Sequence, residues 1–297
     1  MTKLMYMNKT SRTLGTYAAI FAMAAIPRPL LASTPEMLSS RTAWIVHYAD
    51  DSCRLGREFG AEGDKIMVIL DQFAPGDVYH ITLAGKGTER LGKTGSDADM
   101  GFGPELALQK QVGLMRGTNT AGEPVVVLGP LDLLNRDSEG AHPPATAAEV
   151  AKIRELRIRR KSEDLTFRLG TMTSALAGMR TCTADLVKLW GLDPVQQQNL
   201  ASLPAPLTSP SKWLKSSDYP KKALRKNEQA LVSFRLMIDA SGTPTLCRIQ
   251  VATQSPEFKE LTCELLMKRA RFEPARDRSG TAVPSYHVNT VRWIVAD

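Results

Sequence analysis

Ala230-Leu231-Val232-Ser233-Phe234-Arg235-Leu236-Met237-Ile238-Asp239 decides how the last third of the chain folds. Val232, Phe234, Leu236 and Ile238 alternate with Ser233, Arg235 and Met237, the period of a half-buried β-strand. Asp239-Ala240-Ser241-Gly242 reads as a turn. Beyond it, Cys247, Ile249 and Val251 share one face of a second strand, with Arg248 and Gln250 opposite. Ser255-Pro256-Glu257 carries three helix-start signals: an N-cap residue, a first-turn proline and an early acid. Phe258, Leu261, Leu265 and Leu266 make the buried stripe of that helix, and Lys268, Arg269 and Arg271 suit its C-terminal dipole end. A closing strand runs from Tyr286 to Val295, where Val288, Thr290, Arg292 and Ile294 alternate with Asn289, Val291, Trp293 and Val295. Upstream, Asp218 is placed to cap a short helix from Tyr219-Pro220 to about Arg225, and Trp213 and Leu214 tuck onto the same module. Residues 213–297 therefore read as a small domain of short helix, two strands, helix and strand.

Working outward, residues 201–212 are rich in Pro and Ser and read as a linker. Residues 33–200 carry short strands punctuated by Gly and Pro: Trp44 to Ala49, Cys53 to Phe59, Ile66 to Leu70, Val78 to Leu83, Leu106 to Met115 and Val125 to Leu128. That pattern predicts a sandwich- or barrel-like domain. Asp137 to Pro144 is a polar loop, and Thr146 with Glu149 forms a capping box before a short helix. Leu156 to Arg160 and Leu165 to Leu169 fit a hairpin; a single helix from Ala147 to Lys161 is the rival reading. Leu176, Met179, Leu186, Leu189 and Trp190 recur at helical spacing as core positions, with Gly191 ending the helix. The fold class is thus α+β, a β-rich domain followed by the small mixed one.

Lys3, Lys9 and Arg12 precede an apolar run from Leu14 to Ile26, and Ala32 supplies a small exit residue. This predicts a signal peptide over 1–32 and a periplasmic protein. The alternative is an uncleaved inner-membrane anchor facing the periplasm, the one case in which the chain would contact a membrane; the apolar run is short of the roughly 20 residues a span requires. In an exported protein the four cysteines point to disulfides. Four cysteines allow three pairings, and pairing within each domain is the simplest. Cys182 on its helix is within reach of the sheet holding Cys53. Cys263 flanks the helical stripe that Cys247 faces from the second strand.

The 297 residues are 43% hydrophobic and 23% charged with a net charge of +7, a globular and modestly basic composition. No basic run interleaves with aromatics and no zinc or helix-turn-helix signature occurs, so nucleic acid is not an expected partner. Gly87-Thr88-Glu89-Arg90-Leu91-Gly92-Lys93-Thr94 matches the P-loop pattern. A working P-loop runs straight into a helix whose N-terminus holds the phosphates. Here Gly95, Gly101, Gly103 and Pro104 come next, so the stretch reads as a hairpin loop and no nucleotide is expected. His47, His80, His142 and His287 are scattered, Asp50-Asp51 reads as a turn before it reads as a metal site, and no acid, base and nucleophile converge. No catalytic, metal or cofactor residue is assigned.

Tyr219-Pro220 with Ala223, the Val232/Phe234/Ile238-Asp239 strand, Gly242, the helix, Phe272-Glu273-Pro274-Ala275, Gly280, Val283-Pro284 and Val291 together resemble the TonB C-terminal domain family. Two positions depart from it: Gln229-Ala230 replace the usual glycine before the first strand, and Gln254-Ser255 replace a small-Gly pair after the second. Classical members also have a membrane anchor and an extended Pro-rich spacer, where this chain has a leader and a folded domain. It looks like an exported TonB-family protein with an added β-rich domain. The resemblance implies a non-enzymatic periplasmic binding module linked to TonB-type outer-membrane transport or envelope assembly. In the family, a segment of an outer-membrane receptor or other envelope protein adds to an exposed sheet edge, commonly the last strand. Here that edge carries Tyr286, Val288, Thr290, Arg292 and Ile294. The competing expectation is a protected structural strand on which Arg292 and His287 discourage aggregation. Two further readings place function in the first domain, as a binder of a ligand or envelope polymer or as an enzyme.

Overall fold

Short apolar strands separated by Gly and Pro turns give one curled sheet. Its strands are β1 (Glu36–Leu38), β2 (Ile45–Tyr48), β3 (Cys53–Phe59), β4 (Ile66–Gln72), β5 (Val78–Ala84), β6 (Asp97–Gly103), β7 (Gln109–Thr118), β8 (Pro124–Asp132), β9 (Glu155–Arg160) and β10 (Glu163–Arg168). The computed structural model describes residues 36–92, 97–136, 143–252 and 256–295. The expected leader, most of the Asp137–Pro144 loop, Lys93 to Ser96, and the Ser255 N-cap lie outside the described residues. Those described fall within one compact unit, Ser33–Asp297, and no helix among them is long and apolar enough to cross a membrane.

The strand order is β1-β10-β9-β6-β7-β8-β5-β4-β3-β2, antiparallel throughout except for β1 beside β10. The chain leaving β1 crosses to β3, where Ser40 bridges Phe59 and the Arg41 amide donates to Glu58 O at 2.8 Å. The sheet thereby closes into a barrel-like ring, the second of the two expected forms. Its core gathers Leu55, Leu70, Ile81, Phe102, Leu128 and Phe167. The helix α1 (Ala147–Lys152) starts at the expected Thr146–Glu149 capping box. The hairpin of β9 and β10 displaces the single-helix reading, its turn placing Lys161 at φ 55°. A long helix, α2 (Thr173–Leu189), packs Leu176, Met179 and Leu186 on the core and is joined to β3 by Cys53–Cys182. Leu189, expected inside, is 75% exposed because it stands on the flank of the stripe at the last helical residue.

The P-loop-like stretch is a 3-10 helix from Lys86 to Leu91, not a hairpin loop. Gly87 lies so close to β4 that a Cβ there would meet Ile66 Cγ1 at 2.5 Å, which explains the glycine without a phosphate. The next described element is the strand β6, so among the described residues no helix N-terminus faces the loop.

After α3 (Pro194–Gln198) and β11 (Ala205–Pro206) come α4 (Lys221–Arg225), β12 (Ala230–Ile238), β13 (Pro244–Ala252), α5 (Pro256–Arg269), β14 (Phe272–Glu273), β15 (Ala275–Arg276), β16 (Ala282–Val283) and β17 (Ser285–Trp293). The three long strands form an antiparallel sheet in the order β13-β12-β17. Phe258, Leu265 and Leu266 of α5 pack on Val232, Phe234, Leu236 and Trp293, and Cys247–Cys263 pins α5 to β13. One expectation is corrected here. Asp218 does not cap α4: its carboxylate takes the Arg269 guanidinium and the Lys215 amide, and Pro220 occupies the cap position. The 201–212 stretch is laid along the small domain: Ala201 N donates to Arg276 O at 2.8 Å, β11 pairs with β14, and Leu207 N donates to Arg271 O at 2.9 Å.

Candidate functional site: an edge strand on a covered sheet

The alternation along β12 predicts a half-buried strand, yet Ser233 is 0% and Arg235 5% exposed. The reason is that the sheet is covered on both faces. On one lies α5. The other rests on the first domain, through side chains that alternate out of all three strands.

On β17 the inward residues His287, Val291 and Trp293 belong to the small domain's own core. His287, expected as an edge guard, packs its ring 5.0 Å from Phe272 and 6.0 Å from Trp213, and its Nε2 has no partner. Burial pushes its pKa down to about 4. The outward residues meet the first domain. Tyr286 stands 4.9 Å from Trp190, ring centre to ring centre, and burial pushes its phenol up to about 12. Val288 sits opposite Arg235 in the register. Thr290 Oγ1 is 2.8 Å from Ser233 Oγ and 3.4 Å from His80 Nε2. The Arg292 guanidinium lies against Gly113 of β7, where any side chain would displace it. Ile294 falls beyond the strand end and is 53% exposed. Four of the five expected edge residues thus share the face turned to the first domain. What the strand leaves unpaired is its outer backbone edge: among the described residues only β12 pairs with it.

The family described as Gram-negative bacterial TonB protein C-terminal matches residues 215–295. These residues form a TonB C-terminal domain. No curated protein matches the chain. A TonB-family domain implies a place in the cell envelope, and the family is in general non-enzymatic. Among the described residues, no three His, Cys, Asp or Glu side chains converge as a metal site.

The residues that carry the TonB pattern have identifiable physical jobs. Gly242 holds φ 84° in the β12–β13 turn with its backbone directly against Phe272 O, and it accepts the Phe272 amide at 3.0 Å. A glycine is required there by both the φ and the close approach. Tyr219 donates to Glu228 O at 2.6 Å and sets its ring edge-on to Phe258 and Trp293, which fixes α4 on the core.

The link between the TonB domain and the first domain centres on Asp51, a residue whose sequence context signals only a turn. Its carboxylate accepts from Arg248 Nε at 2.9 Å and Arg235 Nη1 at 3.4 Å. Its carbonyl accepts from Gln250, which also donates to Phe73 O at 2.8 Å. Arg235 caps the Trp190 ring at 4.2 Å. Burial pushes the Arg235 guanidinium down and Asp51 opposes it, whereas the Asp51 hydrogen bond raises Arg248. Gln197 adds a further tie, donating to Pro284 O at 3.0 Å and accepting from Ser285 at 2.6 Å. The signal was present as polar residues on one face of paired strands, Ser233 and Arg235 beside Arg248 and Gln250. Alternation alone reads such a face as solvated.

Proposed function

We propose that the TonB domain binds a partner protein of the Gram-negative envelope by accepting an extended segment along the outer edge of β17, in a protein exported to the periplasm. An outer-membrane receptor or an envelope assembly protein fits this role. The observation that carries the reading is the contrast between the two sheet edges. The pairing of β17 with β12 runs unbroken from Ala230↔Trp293 to Ile238↔Ser285. The pairing of β13 with β12 is interrupted at Ser233/Phe234 and at Met237/Ile238. A regular strand presents an evenly spaced ladder to an incoming chain, and bulges spoil one. With both sheet faces covered, backbone pairing supplies the affinity. Side-chain selectivity then comes from the strand's ends, where Arg292 and Ile294 are exposed.

The test is photo-crosslinking in cells from a benzoyl-phenylalanine placed at Arg292 or, as the comparison, at Leu246 on β13. Adducts from position 292 alone, mapped to an extended segment of an envelope protein, are expected. Equal adducts from both positions, or adducts from 246 alone, would sink the assignment to β17.

One feature favours a second reading, ligand or envelope-polymer binding by the first domain. A cleft of about 460 Å³ is lined by Trp44, Val46, Arg57, Gly170, Thr171 and Ser174. An aromatic ring beside a guanidinium offers stacking and charge to a polar ligand. Titration of envelope glycan fragments with Trp44 fluorescence as the readout decides it, since a spectrum unchanged by any fragment leaves the cleft without a role.

A further inference from the structure

The chain's positive charge is concentrated where the TonB domain begins. From 212 to 226 the sequence holds Lys212, Lys215, Lys221, Lys222, Arg225 and Lys226 against one acid, Asp218. That acid is taken by Arg269 of α5. The short helix α4 turns Ala223 into the core, fully buried, and leaves Lys221, Lys222, Arg225 and Lys226 exposed. Lys226 reaches Glu228 at 3.6 Å; among the described residues Lys221, Lys222 and Arg225 form no ion pair.

Apolar side chains stand within this field. Leu224 is 46% exposed in the middle of the cationic helix. The loop leaving α4 enters β12 at Ala230, directly opposite Trp293, so it runs beside the strand end where Ile294 is 53% exposed. Cations without fixed partners, on long flexible stems around protruding leucine and isoleucine, suit a surface that offers many anions without demanding one geometry. An acidic protein would instead call for paired, directional contacts, the kind Asp51 makes with Arg235 and Arg248 elsewhere in this molecule.

We propose that α4 and its flanks form a membrane-apposition surface that binds anionic phospholipid headgroups, with Leu224 and Ile294 entering the interface. Such binding is held by Coulomb attraction that decays within about 8 Å at physiological salt. It draws on α4 and Leu224, which strand addition at β17 does not use, and shares Ile294 with that edge.

The experiment is vesicle co-sedimentation of the full chain and, in parallel, of residues 33–297. The vesicles are phosphatidylcholine with or without phosphatidylglycerol, at low salt and at about 0.5 M NaCl. Binding is expected on the phosphatidylglycerol vesicles at low salt and is expected to vanish in high salt for residues 33–297. The triple variant K221E/K222E/R225E is expected to lower the partition coefficient at least about tenfold, and Leu224→Ser several-fold. A control triple variant, K152E/K161E/R168E, carries the same net charge but alters cations on the first domain and should bind like the parent. Near-UV circular dichroism confirms that each variant is folded. Equal loss in both triple variants, no lipid binding by residues 33–297, or binding that survives the α4 reversals overturns the proposal. Binding to a soluble acidic protein but not to vesicles would overturn it in favour of a protein partner.

Discussion

The guanidinium of Arg235 caps the ring of Trp190 at 4.2 Å, joining the middle strand of the TonB sheet to the residue that ends α2 in the first domain. Arg235 is 5% exposed, and Asp51 is the acid that reaches it. Removing that acid strands a buried cation. Asp51→Ala is therefore expected to lower unfolding stability by about 3 kcal/mol, and Asp51→Asn by less, because the amide keeps one acceptor. Urea denaturation measures both. A change below about 1 kcal/mol for the alanine variant would show that Trp190 alone satisfies the arginine.

At Gly242 both the left-handed backbone and the contact with Phe272 O exclude a side chain. Gly242→Ala is expected to destabilise by about 2–4 kcal/mol, well beyond the propensity difference between the two residues. Gly280, at φ 83° with open space around it, is the comparison: its alanine variant should cost about 1 kcal/mol.

Acid should weaken the fold before the carboxylates titrate. His80 and His287 have pKa values pushed down to about 4 by burial, below the ordinary value of 6.5. The unfolded chain then binds protons that the native state refuses, so stability is full above pH 6.5 and falls as the pH drops toward 4. Asp218, held below the usual carboxylate range by its Arg269 hydrogen bond, adds its loss at still lower pH. Asp71, raised by burial, acts in the opposite sense. Thermal melts from about pH 7 to about pH 4 should show a falling midpoint. His287→Phe, filling the same aromatic site without a proton to gain, should flatten part of that slope.

The two disulfides should differ in weight. Cys247–Cys263 closes a sequence separation of 16 and Cys53–Cys182 one of 129. Loop-closure entropy assigns them about 3 and about 5 kcal/mol. Paired serine variants, compared by denaturant midpoint, check the order; the reverse order would point to residual structure in the reduced unfolded chain.

What the sequence disclosed depends on the range of the interactions. The TonB domain was legible because alternation at Val232 to Ile238, the stripe on α5 and the Gly242 turn are all local signals. The strands of the first domain and its capping box at Thr146 were legible for the same reason. The faces were misread where a partner lies far along the chain. Ser233 and Arg235 looked solvent-facing because Asp51 and Trp190 come from another domain. His287 looked like an edge residue because the Trp213 that encloses it arrives from upstream of α4. Gly87 resembled part of a phosphate loop, though its glycine serves the close approach to Ile66 that only the folded sheet reveals.

The strip from Ala201 to Leu207, hydrogen-bonded along Arg271 to Arg276, is stored chain length. Peeled away and fully extended, it would span at most about 24 Å. That figure sets a leash. Should a pull on β17 break the contacts that Asp51, Trp190, Gln197 and His80 make with the TonB domain, this strip would become the tether whose length limits how far the domain moves before the first domain takes up the load.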